Sequence, residues 1–156
     1  IDDKWLYDQE SELPPVSEIN LEIQKPRISN IGGDITIAAS GHSSLLARGA
    51  AEKLNKLNIS AEIIDIRVLN PFDAKVIIQS VMKTKHLLVV DSGWLSSGFS
   101  SEVVAKVVES IPTDCLKTPP KRLALPDAPA PTSSPLESQY YLSSDDIVEV
   151  VIELIH

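Results

Sequence analysis

The chain has 156 residues, a formal net charge of −8, and 43% hydrophobic but only 4% aromatic residues. This length suits one ordinary domain, and a core built of aliphatic side chains favours an α/β layered protein. The acidic charge repels phosphate backbones and anionic membranes, so neither nucleic acid nor a membrane is an expected partner.

Cysteine and histidine usage narrows the chemistry further. Cys115 is the only cysteine of the sequence, which excludes an internal disulfide and favours a reducing compartment such as the cytoplasm. One cysteine and three scattered histidines offer none of the paired spacings of a zinc site, so no bound metal is expected. No apolar run approaches the roughly 20 residues that span a bilayer.

The N-terminal part, residues 1–30, is interpreted as a linker and arm. Residues 1–7 resemble the end of a strand and its exit loop, which suggests a fragment that follows a preceding domain. Residues 8–17 are acidic and contain Pro14 and Pro15, which favour an extended connector. Residues 20–28 alternate apolar and polar side chains, which predicts a strand or extended arm. The domain proper is predicted over residues 31–156.

From residue 35 onward, strand and helix patterns alternate. Strands are predicted at 35–39, 61–66, 87–90 and 121–125. Helices are predicted at 43–57, from 74 to about 84, and from about 101 onward. Leu57, Met82 and Val108 are expected on the buried faces of these three helices, in that order. Residues 126–135 contain four prolines and are predicted to be extended, and Ser143 with Asp146 forms a capping box for the last helix.

This alternation predicts right-handed βαβ units, a mostly parallel sheet, and helices on both faces. In such sheets the loops at the carboxyl ends of the strands form the ligand crevice. Residues 40–44 and 92–101 are the two loops expected there.

The second loop contains Gly93, Trp94 and Gly98 before a helix. Helix amides behind a glycine loop can bind an anion, but Gly93 and Gly98 lack the dinucleotide-binding spacing, so a structural turn is the favoured interpretation. Gly41, His42 and Ser43 form a weaker anion-site candidate, in which His42 could act as a general acid or base.

Asp65 and Arg67 form the remaining candidate pair. They stand two residues apart at the end of the second predicted strand, so their side chains are expected on one face. A local ion pair or a contact across an interface suits them better than catalysis.

Four segments, in this order, resemble the C-terminal domain of transketolase-like enzymes that use thiamine diphosphate: "GDITIAASG", "AEIIDIRVLNPFD", "HLLVVDSGWLSSGFSSEVV" and "ALPDAPAPTSSPLE". The resemblance is closest to the β subunit of the decarboxylating component of 2-oxo acid dehydrogenase complexes. It implies a three-layer α/β/α domain whose five-stranded sheet is mixed, with one antiparallel edge strand.

The resemblance also implies a function. Thiamine diphosphate and magnesium would bind to parts of the parent enzyme outside this sequence, so the fragment is expected to bind no cofactor and to be inactive alone. Gly93, Trp94, Gly98 and Glu102 fit the family pattern, in which they shape a turn and support subunit packing. The implied partners are an α subunit, a second β subunit, and the basic subunit-binding domain of an acyltransferase, and homo-oligomerisation is expected.

Two alternatives remain open. The parent could be a transketolase or a deoxyxylulose phosphate synthase, which transfer ketol groups. The chain could instead be a free-standing module that binds a small anion at the strand ends. An acidic docking surface for the acyltransferase would be expected near the fourth predicted strand. The chain instead has the basic residues Lys117, Lys121 and Arg122 there.

Overall fold

A computed structural model describes residues 6–7, 9–10, 12, 15, 18 and 20–156. Most of the predicted linker, including the predicted strand end before Leu6, lies outside these described residues. Within them the strands are β1 (Arg27–Asn30), β2 (Ile35–Ala39), β3 (Ala61–Asp65), β4 (Leu87–Trp94) and β5 (Lys121–Leu125). The α-helices are α1 (His42–Asn55), α2 (Lys75–Thr84), α3 (Phe99–Val108), α4 (Ser134–Tyr140) and α5 (Ser144–Ile155).

The strands form one five-stranded sheet in the order β1-β3-β2-β4-β5. Strands β2 to β5 pair in parallel, and β1 pairs antiparallel with β3 at one edge. Each parallel strand is joined to the next by one of the helices α1, α2 and α3, as βαβ crossovers require. The predicted mixed sheet with one antiparallel edge strand is confirmed. The arm contributes its last residues to that edge strand.

Two hydrophobic cores lie on opposite faces of the sheet, which makes the domain a three-layer α/β/α structure. Helices α1 and α5 cover one face, where Ile37 and Ile63 pack with Leu54 and Ile147. A Cβ at Gly49 would lie 2.9 Å from Ser144 Oγ, so glycine lets α1 and α5 approach closely. Ser144 Oγ also donates to the Leu46 carbonyl at 3.1 Å.

Helices α2 and α3 cover the other face, around Ile64, Val81, Val89 and Val103. This layer also contains a chain of buried hydroxyl groups. Thr36 Oγ1 lies 2.6 Å from Ser80 Oγ and 2.7 Å from Thr84 Oγ1, so these polar groups satisfy one another between β2 and α2.

The hydroxyl chain explains an error in the sequence-based prediction for α2. The residues of α2 that face the sheet include Ser80 and Thr84, whereas Met82, predicted to face the core, is 49% exposed. Leu57 and Val108 are exposed as well, because Leu57 lies beyond the end of α1 and Val108 is the last residue of α3.

The C-terminal part contains one confirmed and one unpredicted feature. Ser143 Oγ accepts from the Asp146 amide, and the Asp146 carboxylate accepts from the Ser143 amide, so the predicted capping box is confirmed. Helix α4 begins at Ser134 inside the segment predicted to be extended. It has no buried residue, so the sequence carries no apolar periodicity that would reveal it.

Candidate functional site at the carboxyl ends of the strands

The segment that joins β4 to α3 is organised around the carboxylate of Asp91, which is 9% exposed. Asp91 Oδ1 accepts from the Gly93 amide at 2.9 Å, and Oδ2 accepts from the Ser100 amide at 2.8 Å. The Ser100 amide, one of those that an external anion could use at the start of α3, is therefore already bonded to a carboxylate of the same chain.

Gly93 and Trp94 are the last residues of β4 rather than part of a free loop, and the pairing of β4 with β5 is irregular between Asp91 and Trp94. Gly98 lies against the end of this strand. A Cβ at Gly98 would be 2.1 Å from the Trp94 carbonyl oxygen and 3.1 Å from Asp91 Oδ2. The position requires glycine because there is no space for a side chain.

Residues of β5 and of the segment that follows β5 hold the outer side of this turn. Arg122 Nη1 donates to the Leu95 carbonyl and to Ser101 Oγ, each at 2.6 Å. Asp127 accepts from the Ser96 amide at 3.0 Å and from Ser96 Oγ at 2.6 Å. The hydrogen bonds from the Ser96 side chain and amide lower the pKa of Asp127, and the Arg122 charge lowers it further.

Trp94 is held in place although 54% of its surface is exposed. Its Nε1 donates to the Tyr140 hydroxyl at 3.2 Å, and that hydroxyl donates to the Ala128 carbonyl at 2.7 Å. Leu95 and Leu136 are also exposed. We call the exposed side chains of Trp94, Leu95 and Leu136, together with Tyr140, the Trp94 surface.

Glu102, a predicted site residue, takes part in a surface ion pair. Glu102 Oε1 lies 3.5 Å from Lys106 Nζ, one turn further along α3. Lys106 Nζ also lies 5.3 Å from the centre of the Phe72 ring. Exposed pairs of this kind contribute little to stability.

Asp65 and Arg67 both contact the arm. Asp65 accepts from Ser44 Oγ at 2.8 Å and lies 3.8 Å from Arg27 Nη2. Arg67 donates from Nε and Nη2 to the Lys25 carbonyl, at 3.1 Å and 2.6 Å. These contacts fasten the residues before and within β1 to β3.

Gly41, His42 and Ser43 lie at the start of α1, where Gly41 has a positive φ of 54°. Ser43 is fully buried, and its hydroxyl shares a hydrogen bond of 2.7 Å with Ser92 Oγ. Ser44 Oγ donates to the Ala39 carbonyl at 3.0 Å. The hydroxyl groups at this helix start therefore join α1 to neighbouring strands.

Several residues that shape this region were not singled out as site residues from the sequence: Asp91, Ser92, Arg122 and Tyr140. The sequence marks Asp91 as an acid that follows an apolar run and stands eight residues before Phe99, where α3 begins. No local pattern marks Tyr140, which reaches Trp94 across 46 residues of sequence.

His86 is buried at the other end of the sheet, where Nδ1 lies 2.9 Å from Thr118 Oγ1. Burial lowers the pKa of His86 from its ordinary value near 6.5, and the Lys117 charge lowers it further against the opposing charge of Asp34.

The residues of this crevice do not fit a diphosphate cofactor. The Ser100 amide is bonded to Asp91, and the Ser43 and Ser44 hydroxyls are bonded inside the fold.

Among the described residues, no group of three or more His, Cys, Asp or Glu side chains is placed to hold a metal ion. In that same part of the chain, every helix is too short or too polar to cross a membrane.

A three-layer α/β/α architecture and a five-stranded mixed sheet with one antiparallel edge strand define the class of this domain: an α/β domain with a mostly parallel sheet. Residues 24–147 match the family model "Transketolase, C-terminal domain". The chain belongs to this family.

Relatives and solved structures agree with this assignment. The mitochondrial pyruvate dehydrogenase E1 component subunit beta of Caenorhabditis elegans is 36% identical over 129 residues, which are 83% of this chain and 37% of the relative. The acetoin:2,6-dichlorophenolindophenol oxidoreductase subunit beta of Bacillus subtilis is 33% identical, over 99% of this chain and 44% of the relative. The chain thus spans less than half the length of either relative.

Among solved structures, a split-gene transketolase in its inactive β4 tetramer superposes with a TM-score of 0.77. The superposition covers 94% of this chain and 46% of the other, at 23% identity. Similarity at that identity shows the fold.

Proposed function

We propose that this chain is the C-terminal assembly domain of the β subunit of a thiamine-diphosphate-dependent 2-oxo acid dehydrogenase. The whole enzyme would decarboxylate a 2-oxo acid oxidatively, with thiamine diphosphate and magnesium bound by parts of the enzyme outside this sequence. The domain would contribute subunit contacts and no reacting group. The relatives named as β subunits of pyruvate and acetoin enzymes support this proposal.

One observation carries the proposal: the Ser100 amide at the start of α3, which a phosphate group could bind, donates to Asp91 Oδ2 at 2.8 Å. A carboxylate buried there would repel a diphosphate, and its removal would leave buried amides without partners. The hydrogen bonds of Asp91 therefore make the crevice rigid. A rigid domain is suited to presenting a surface to other subunits.

The Trp94 surface is the part of the domain best suited to subunit contact. Tryptophan and tyrosine dominate the energetics of protein interfaces, and the hydrogen bond from Trp94 to Tyr140 fixes both rings before any partner arrives. A fixed side chain loses little conformational entropy on binding. We assign this surface to the α subunit or to a second β subunit, in line with the expected homo-oligomer, and the enzyme to the cytoplasm.

Docking to the acyltransferase is a further part of the proposal. The net charge of −8 would attract a small basic module. Lys117, Lys121 and Arg122 oppose such a contact near the start of β5, so docking would use another, more acidic surface.

Calorimetry with thiamine diphosphate and magnesium tests the absence of cofactor binding, and decarboxylation of 2-oxo acids tests the absence of chemistry. We expect no heat of binding and no turnover by the chain alone. Binding of the cofactor in the micromolar range would contradict the assembly role.

Sedimentation of the chain with the α subunit from the same source tests the contact. Trp94→Ala should weaken a complex by at least about tenfold, the effect of an interface hot spot. Leu57→Ala is the matched control, because Leu57 is equally exposed, at 52%, but lies outside the Trp94 surface. Equal effects of the two substitutions would refute the assignment of the surface.

The fold similarity to transketolase favours one alternative, a parent enzyme that transfers ketol groups. The neighbouring gene sequence distinguishes the two. A single long reading frame that carries the diphosphate-binding motif indicates the transketolase type, and a short frame beside an α-subunit gene indicates the dehydrogenase.

A further inference from the structure

A cavity of about 290 Å³ lies between the arm, at residues 22–25, and the loop at residues 71–73 that leads into α2. The loop follows β3, so the cavity lies beyond the carboxyl end of a parallel strand, where ligands bind in sheets of this type. Its volume is near the lower end of the range for small-molecule sites, which limits the ligand to metabolite size.

Both walls of the cavity are fixed by hydrogen bonds. Arg67 donates two hydrogen bonds to the Lys25 carbonyl, at 3.1 Å and 2.6 Å, and holds the arm against the domain. Asp73 Oδ1 accepts from the Lys75 amide at 2.9 Å, which orients the Asp73 carboxylate. The Phe72 ring packs edge-on against Phe99, with 5.2 Å between the ring centres. The cavity is therefore largely formed before a ligand enters.

The charged groups that line the cavity are of both signs. Glu22 and Lys25 lie on the arm and Asp73 lies on the loop. None of the three forms a salt bridge with another described residue, although four other pairs do: Arg27–Asp65, Lys53–Asp145, Lys83–Glu62 and Lys106–Glu102. The cavity is thus lined by two acidic residues and one lysine, all without ionic partners in the described part of the chain, and by the apolar residues Pro71 and Phe72.

We propose that this cavity binds a small amphoteric ligand, an α-amino acid with an aliphatic side chain. Its ammonium group would pair with the carboxylates of Glu22 and Asp73, its carboxylate with Lys25, and its side chain would cover Pro71 and Phe72.

The mixture of charges selects this class of ligand. A simple carboxylate would meet two negative side chains and the overall charge of −8. A simple amine would leave Lys25 facing a like charge. A zwitterion pairs with both signs and adds no net charge. The inference is independent of the proposed assembly role, because none of the lining residues belongs to the Trp94 surface.

NMR titration of the 156-residue chain with three compounds tests the proposal. L-Leucine carries both charged groups, 3-methylbutylamine lacks the carboxylate, and 4-methylpentanoate lacks the ammonium group. We expect leucine to shift the amide signals of residues 22–25 and 71–73, with at least fivefold tighter binding than either analogue. The open, partly solvated site predicts a dissociation constant of about 1 mM.

Two variants assign the roles of the charged groups. Asp73→Asn keeps an oxygen that accepts from the Lys75 amide and should weaken leucine binding by about fivefold to tenfold. Lys25→Met should weaken leucine binding to a similar extent and should tighten the binding of 3-methylbutylamine, because it removes a like charge that faces the amine. Asp114→Asn, at an exposed position outside the cavity, should change nothing.

Equal affinity for the three compounds would overturn the proposed ligand class. The absence of shifts at residues 22–25 and 71–73, at concentrations in the tens of millimolar, would overturn the site. Loss of leucine binding in Asp114→Asn would show that the effect is not local and would also refute the assignment. None of these outcomes bears on cofactor binding or subunit contact, so the two proposals can fail separately.

Discussion

Asp91 Oδ2 accepts a hydrogen bond from the backbone amide of Ser100 at 2.8 Å and so joins β4 to the first turn of α3. The other oxygen of the same carboxylate binds the Gly93 amide at 2.9 Å. Two amide hydrogen bonds to one carboxylate fix the turn between Gly93 and Ser100.

Replacement of Asp91 by Asn should therefore destabilise the domain. An Asn side chain can accept one of the two amide hydrogen bonds, but its NH₂ group would face the other amide as a second donor. We expect a loss of about 1.5–3 kcal/mol in the free energy of unfolding, the usual value for a hydrogen bond to a charged group. Urea unfolding measures this loss. Asp114→Asn serves as the control, and an equal loss in both variants would contradict the role of Asp91.

Gly98→Ala should be destabilising for a reason of space alone. The added Cβ would lie 2.1 Å from the Trp94 carbonyl oxygen, so the backbone must move. We expect a loss of about 1–3 kcal/mol, as in other overpacked sites, measured by thermal or urea unfolding.

Gly33→Ala is the matched control for this substitution. The nearest atom to its Cβ would be Ser60 Oγ at 3.7 Å, an ordinary contact distance. A change of less than about 0.5 kcal/mol is expected. If Gly98→Ala were equally tolerated, the close approach of α3 to β4 would not exist in solution.

Ser100 and Ser101 should respond to alanine in opposite directions. Ser100 Oγ is buried and has no hydrogen-bond partner, whereas Ser101 Oγ accepts from Arg122 at 2.6 Å. Removal of an unsatisfied buried hydroxyl should stabilise the domain by about 1 kcal/mol, and removal of the Arg122 acceptor should destabilise it by a similar amount. A stability loss in Ser100→Ala would show that its hydroxyl does have a partner.

The pH dependence of stability should contain a contribution from Glu62. Burial raises the pKa of this carboxyl group, but hydrogen bonds from Lys83, Ser80 and the Gly32 amide outweigh it, and the pKa lies below its ordinary value of 4.5. A carboxyl group whose pKa is lower in the folded state stabilises the fold above the unfolded-state pKa. That stabilisation is lost as the pH falls through the folded-state value.

Glu62→Gln should thus reduce the loss of stability below about pH 4.5, compared with the unsubstituted chain. Urea unfolding at a series of pH values between about 3 and 6 measures the slope. Glu52→Gln, at an exposed position on α1, should leave the slope unchanged. An unchanged slope in Glu62→Gln would mean that the pair of the buried Glu62 with the half-exposed Lys83 does not form.

Periodicity predicted the sheet and its covering helices because burial on both faces leaves apolar runs such as the one that begins at Leu87. It failed where polar groups replace apolar ones in the interior. Ser80 and Thr84 face the sheet because Thr36 is buried opposite them. The helical spacing of the buried Ile77 and Val81 places Ser80 and Thr84 on the same face and Met82 off it. The polarity of the two hydroxyl residues concealed this face from a reading based on apolar residues.

The candidate site was less accessible to sequence-based reasoning. The spacing of Gly93 and Gly98 predicts a structural turn rather than a dinucleotide-binding loop, but the reason that Gly98 is glycine appears only in three dimensions. Its neighbour in space is the Trp94 carbonyl. Asp65 and Arg67 lie close together in sequence, yet each contacts distant residues: Asp65 accepts from Ser44 Oγ at 2.8 Å, and Arg67 donates to the Lys25 carbonyl at 2.6 Å.

The antiparallel pairing of β1 with β3 also bears on where the domain can be cut. A truncated variant that starts after Asn30 would keep every helix described above but would uncover the backbone amide and carbonyl groups of β3. An uncovered flat strand of Ala, Glu and Ile residues invites intermolecular pairing and precipitation. We therefore expect the short segment before Ile31 to keep the domain soluble by covering the edge of the sheet, although it contributes little to either hydrophobic core.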